Sequence, residues 1–409
     1  MVAAGLAALT ATPATAAPDG QWYLDALHIQ DAHRASTGQG VTVAVIDSGI
    51  DNTRPALQGQ LVPGKCFGSA ADIPPTMDDV GHGTGMAGLI AGNGKDKRHI
   101  LGVAPRAQLM PLCVTGEDTT DRAMFESITP AIRYAVDHGA DVISMSLGGD
   151  EKHASLGDTL RKLHAAIAYA EQHNVVLVAA AGNKGQDKDG VPSPGRLPGV
   201  VAVAGTDENG GSWKGSITGK QVALAAPAEN VLTTDTTNKY KDNKPVQSDG
   251  YQIAGGTSSA TALVAGTAAL VRSKYPEMDA ANVINRLIKT ADHKGAPGRN
   301  PQYGYGIVDP VRALTAHVDP VRSNPLGQLS APQPSHQPST HDAAAPKEHG
   351  SNVGLWLGLG GGVLVVVVVV VLVLVTRGRR RNAGDWQPGG HPTSGQEPSE
   401  RYEARWRRP

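Results

Sequence analysis

The chain has 409 residues, 40% hydrophobic and 18% charged, enough apolar content for one large core. A formal net charge of -1 supplies no basic field, which sets nucleic acid aside as a partner. Only two cysteines occur, Cys66 and Cys113, and neither shares with histidines the paired spacing that a structural zinc site requires.

The opening stretch, MVAAGLAALTATPATAAPDG, joins a short apolar run to small residues at Ala14 to Ala17. That is the pattern of a secretory signal over residues 1–17, although no basic residue precedes the apolar part. Residues 18–40 follow as a short N-terminal extension, and residues 41–315 as the main folded domain.

Within that domain, β-branched runs alternate with longer periodic stretches, the pattern of a mostly parallel sheet with crossover helices. Strands are predicted at 41–46, 108–114, 141–145, 175–180, 200–204 and 222–225. Several are apolar without alternation, as expected when helices cover both faces. Met124, Ile128, Ile132 and Ala135 mark one helix, and Leu156, Leu160, Leu163, Ile167 and Ala170 mark another. The fold class is α/β in three layers.

From residue 316 to 350 the composition shifts to Pro, Ser, Gln and His, which predicts an extended linker unable to bury much apolar surface. His336, His341 and His349 in it have no ligand spacing and read as solvated. Residues 353–375 then form an uncharged, valine-rich run followed by Arg377, Arg379, Arg380 and Arg381. From Leu355 it spans about 31 Å as a helix, close to the hydrocarbon thickness of a bilayer. It is predicted to cross the membrane once, with the basic tail 376–409 in the cytoplasm and the folded domain outside the cell.

Four segments carry chemistry. VTVAVIDSGI ends a buried strand in Asp47, where catalytic groups of open α/β sheets gather, although a lone Asp there often only caps a turn. GHGTGMAGLIAG sets His82 between glycines at the head of an apolar helix, and GGTSSATALVAG sets Ser258 at the head of another. A hydroxyl in that place sits in positive potential beside backbone N–H groups, and it could equally be an N-cap with no chemistry. Ser259 is the other hydroxyl this stretch offers as a nucleophile. VVLVAAAGN ends a strand in Asn183, whose amide could donate to a developing oxyanion.

In this order the four segments resemble the subtilisin-like serine proteases, whose triad runs Asp, His, Ser along the chain. The resemblance covers roughly Gln21 to Thr315 and takes in GVAPRAQLMPLCV, SMSLGG at 144–149 and GYGIVD at 304–309. It implies a subtilisin-like fold. It also implies Asp47 as the orienter of the imidazole, His82 as general base and then acid, and Ser258 as nucleophile. Asn183 takes the oxyanion role with the backbone N–H of Ser258. Ser146, Leu147, Gly148, Ala180, Ala181 and Gly182 become candidates for pairing with an extended protein or peptide substrate. Three positions depart from the family's usual pattern: Gly85 where a second His is common, Ser259 where Met is common, and Ala262 in place of a Pro.

The short extension, peptidase domain, linker, single span and basic tail together are similar to the mycosins, membrane-anchored proteases associated with type VII secretion. That resemblance implies a role in trimming exported proteins and membrane components of that system as partners. A structural component with latent or dispensable protease activity is the alternative, and a cell-surface binding module is a third reading. Export places Cys66 and Cys113 in an oxidising compartment, where a lone pair is more often bridged than free; two buried thiols are the other reading. Asp78 and Asp79 read as loop carboxylates, and neither a cofactor nor a metal is expected.

Overall fold

The computed structural model describes residues 20–96, 99–114, 120–152, 156–185, 190–237, 240–241, 244–245 and 250–329. The expected signal, membrane span and tail lie outside them. Among the described residues no helix is long and apolar enough to cross a membrane.

Strand β1 (Thr42–Asp47) shows why the domain has three layers. Its even and odd side chains enter different cores: Val43 and Val45 pack on one side of the sheet, Ala44 and Ile46 on the other. The remaining strands of this sheet are β2 (Lys65–Cys66), β3 (Gln108–Cys113), β4 (Val142–Met145), β5 (Val176–Ala180), β6 (Val201–Thr206) and β7 (Val222–Pro227). All pairings are parallel and the order is β2-β3-β1-β4-β5-β6-β7. The order reverses at β1, and in such sheets a crevice opens at the carboxyl ends beside the reversal.

One face is covered by α1 (Trp22–Ala26), α2 (Ile29–His33), α3 (His82–Ala91), α6 (Thr257–Lys274), α7 (Ala280–Thr290) and α8 (Pro310–Thr315). The other is covered by α4 (Asp121–Asp137) and α5 (Gly157–Gln172), the two striped helices, whose Ile128, Ile132, Leu163 and Ile167 are fully buried there. Helix α6 is apolar nearly all round and buried from Thr257 to Arg272, as a helix enclosed on every side should be. All six predicted strands form, each within two residues of its expected ends.

Two stretches at the edges of the expected 41–315 domain pack against it. Within the expected extension, Tyr23, Leu24, Leu27, Ile29 and Ala32 sit in the same core as α3 and α6. Each large apolar side chain so buried contributes about 1.5–3 kcal/mol, so this stretch does not detach cheaply. Contacts with the domain also continue past residue 316. Residues 317–329 have no regular structure, yet side-chain amides bind their backbone: Asn285 donates to the Asp319 carbonyl at 2.9 Å, and Asn282 both donates to and accepts from Val321. Polar composition did not exclude packing, because Asn side chains satisfy an irregular backbone as a strand neighbour would.

Two further features flank the sheet. Cys66 and Cys113 are register partners on β2 and β3, their Cα atoms 4.3 Å apart and their sulfurs bonded. β8 (Val231–Thr234) pairs antiparallel with β11 (Tyr251–Ala254), and β9 (Tyr240–Lys241) with β10 (Lys244–Pro245). The β8–β11 hairpin leads directly into α6.

Candidate active site

Asp47 is the last residue of β1 and is 3% exposed, while His82 is the first residue of α3. His82 Nδ1 lies 2.7 Å from Asp47 Oδ1. The approach depends on Gly83, since a Cβ there would lie 2.2 Å from the Gly49 carbonyl and 3.1 Å from Asp47 Cβ. No other residue lets the helix start come this close to the strand end. Asp47 Oδ1 also accepts the Ser48 N–H at 2.8 Å, so the carboxylate is held from its own chain as well as by the imidazole.

Behind this pair stands Asp78, a loop carboxylate as expected, but completely buried. Its Oδ1 accepts the Ser48 hydroxyl at 2.9 Å and the Gly81 N–H at 2.8 Å, and its Oδ2 accepts the Thr84 N–H at 2.8 Å and the Thr84 hydroxyl at 2.6 Å. It therefore caps α3 from three residues before the N-cap Gly81, a spacing outside the usual capping patterns. Burial pushes the Asp78 carboxyl up, against the hydrogen bonds from Thr84 and Gly81. Burial alone would lower His82, but the charge and hydrogen bond of Asp47, with the charge of Asp78 behind, outweigh it and raise the imidazole above its ordinary value.

Ser258 occupies the first turn of α6, after Gly256 at φ 100°, a backbone state that glycine tolerates. Its hydroxyl donates to the Ser146 carbonyl at 3.2 Å, and the Ser146 hydroxyl donates to the Ser258 carbonyl at 3.1 Å. Those two bonds fasten α6 to the end of β4. Ser258 is 8% exposed, whereas Ser259 is completely buried, which removes Ser259 as a nucleophile for any external substrate.

Asn183, just beyond β5, reaches the same turn. Its Oδ1 accepts the Thr257 N–H at 3.0 Å and the Thr257 hydroxyl at 3.2 Å, and the Gly182 N–H donates to that hydroxyl at 3.1 Å. With the oxygen of the amide committed to two donors, its NH2 end faces away from Thr257. Thr257 is thus the residue that orients Asn183, and no sequence signal marked it.

The six candidate substrate residues lie at or just beyond the carboxyl ends of the neighbouring strands β4 and β5, Ala180 being the last residue of β5. Leu147 and Gly148 are half-buried; Ser146, Ala180, Ala181 and Gly182 are buried. The N–H groups of Ala181 and Gly182 already donate to Val203 and Thr257, so these two residues have no amide proton left for a substrate strand.

This arrangement suits nucleophilic attack on an acyl carbon, and comparison with known proteins agrees. A subtilase family model matches residues 38–306. The chain is 35% identical to a thermostable alkaline protease of Halalkalibacterium halodurans, over 71% of this chain and 73% of that protein. It is 32% identical to Mycosin-1 of Mycolicibacterium smegmatis, over 86% of each. Among solved structures, MycP1 from the ESX-1 type VII secretion system aligns with a TM-score of 0.64 at 33% identity, over 79% of this chain and 91% of that one. The chain belongs to the subtilase family and is a subtilisin-like serine endopeptidase.

Proposed function

We propose that the protein cleaves peptide bonds through an acyl-enzyme, with Ser258 as nucleophile, His82 as general base and then acid, and Asp47 as the group that orients and stabilises the imidazole. The observation that carries this is the 2.7 Å contact of His82 Nδ1 with Asp47, which directs Nε2 away from Asp47. Ser258 Oγ attacks the scissile carbonyl as its proton passes to His82 Nε2. The imidazolium then protonates the leaving amine, and water repeats the sequence to release the acid. The Asn183 amide and the Ser258 N–H at the start of α6 donate to the carbonyl oxygen as it becomes negative. Leu147 and Gly148, with Ser146 beside them, are the surfaces against which substrate backbone lies as an added strand.

The mycosin likeness supports a narrower reading: an exported protease, anchored by the 353–375 span, that processes proteins at the outer face of a type VII secretion system. MycP1, the neighbour described as an essential component of such a system, also supports a structural role beside the proteolytic one. Treating the full-length protein with a fluorophosphonate probe tests the mechanism. Label on Ser258, found by peptide mass spectrometry and absent from His82→Ala, is the expected result; an unlabelled, folded wild type overturns it. In cells, Ser258→Ala separates the two roles, since loss of secretion with that variant points to proteolysis and normal secretion to the structural part.

A further inference from the structure

The helix that carries His82 and the segment that delivers Ser258 lie far apart in sequence, and one side chain ties them. Gln252 stands on β11, six residues ahead of Ser258 and opposite Thr233 of β8. Its amide nitrogen donates to the Gly81 carbonyl at 2.8 Å and to the Thr234 carbonyl at 3.0 Å. Gly81 is the N-cap of α3, and its carbonyl also takes the first helical bond, from Gly85 at 3.0 Å. Gln252 thus holds the residue directly before His82.

Gly85 makes the contact possible. A Cβ at this position would lie 2.8 Å from the Gln252 amide nitrogen and 3.1 Å from Thr233 Cγ2, closer than packed atoms tolerate. Over the same bare stretch of helix, the Thr233 hydroxyl donates to the Gly85 carbonyl at 2.6 Å. The hairpin therefore rests on the backbone of the first turn of α3, and the amide of Gln252 takes the room that a side chain at 85 would occupy. β11 runs on through Gly255 and Gly256 into α6, so a shift of the hairpin moves Ser258 relative to His82.

We propose that Gln252, seated over Gly85, is a positioning residue that sets the separation of His82 from Ser258. The proposal rests on the assignment of those two residues as base and nucleophile. Misplacing reacting groups by a fraction of an ångström to one ångström costs roughly ten- to a hundredfold in rate, so removal of this tie slows the chemical step and leaves ground-state binding nearly intact.

The test measures the rate at which a fluorophosphonate labels Ser258 in the full-length protein, together with kcat and KM on a short peptide amide. Gln252→Glu keeps the shape and replaces the donating NH2 by an acceptor. It is expected to slow labelling and kcat by about tenfold with KM within about twofold. Gly85→Ala puts a methyl group into the seat and is expected to slow both to a similar degree. Its melting temperature should fall by only a few degrees, because the far end of the Gln252 side chain can move aside and the helix preference of Ala over Gly offsets part of the lost contact. If Gln252→Glu does not fold, Gly85→Ala decides. The double variant should be no slower than the slower single one, since both break one contact. Labelling of a folded single variant at the wild-type rate, or a double variant whose loss is the product of the two, overturns the proposal. A wild type that does not label at Ser258 overturns the triad assignment and this inference with it, whereas normal wild-type labelling with indifferent variants removes this inference alone.

Discussion

His82 Nδ1 lies 2.7 Å from Asp47 Oδ1, and that same oxygen accepts the Ser48 N–H at 2.8 Å. The carboxylate is therefore fixed by the backbone before the imidazole meets it, and its charge holds the His82 proton more tightly than water would.

The pH profile should report this. As the proposed general base His82 must be neutral, and its pKa is raised above the ordinary 6.5, so the acid limb of kcat/KM should lie above that value. Asp47→Asn removes the charge that raises it, and the limb should move down. The same change favours the wrong tautomer and should lower kcat by about ten-thousandfold. Rates on a peptide amide between pH 5 and 9 check both shifts.

Asn183 accepts from Thr257 and, in the proposed mechanism, donates to the oxyanion, and two substitutions separate these roles. Asn183→Ala removes the oxyanion donor and leaves the Thr257 N–H without its acceptor. Turnover should fall by about a hundred- to a thousandfold, the range found for the matching amide of subtilisin, and stability by roughly 1–3 kcal/mol. Asn183→Asp retains the acceptor for Thr257, so turnover should be lost while the urea midpoint stays near that of wild type.

Glu171 accepts the Leu329 N–H at 3.4 Å and the Asn324 amide at 3.3 Å, and burial pushes its carboxyl from 4.5 up to about 7. Between those values the folded protein holds a proton that the unfolded chain has released, so stability falls as pH rises through this window. Allowing for partial exposure, the loss by pH 8 is about 1–2 kcal/mol. Glu171→Gln should therefore melt a few degrees higher than wild type at pH 8 and together with it near pH 4. Thermal unfolding at the two pH values decides it.

Removal of the Cys66–Cys113 bond frees a loop with a sequence separation of 47 residues. The chain-entropy model then gives a loss of about 4 kcal/mol, an upper figure where the reduced chain keeps some structure. The double Ser variant should show a lower denaturant midpoint, with kcat close to wild type while folded. An unchanged midpoint would mean that the bond is absent in solution.

The parts most legible in the sequence were those where local pattern and final environment agree. Uninterrupted runs such as VTVAVI and VVLVAA state that both faces are buried, and their ends point to the crevice. The stripes of α4 and α5 were equally plain because one face of each meets the sheet. Less legible was the stretch 317–329, whose Pro and polar residues look like linker. Its order comes from Asn282, Asn285 and Asn324, side chains remote in sequence or silent in pattern. Asp78 was missed for a related reason: it caps α3 from outside the helix, where no capping motif looks for it.

By itself, then, the sequence determined the class of fold and the order of the strands along the chain, and it supplied Asp47, His82, Ser258 and Asn183 as the residues of the proposal. These follow from periodicity and from short motifs, both local properties of the chain. Tertiary structure alone decided that Ser259 is closed to solvent, that Thr257 turns the Asn183 amide, that the N–H groups of Ala181 and Gly182 are already committed, and that Gln252 fills the space over Gly85. Each of these depends on segments distant in sequence meeting in the fold, and hydrogen-bond partners and steric room exist only once the packing of both segments is fixed.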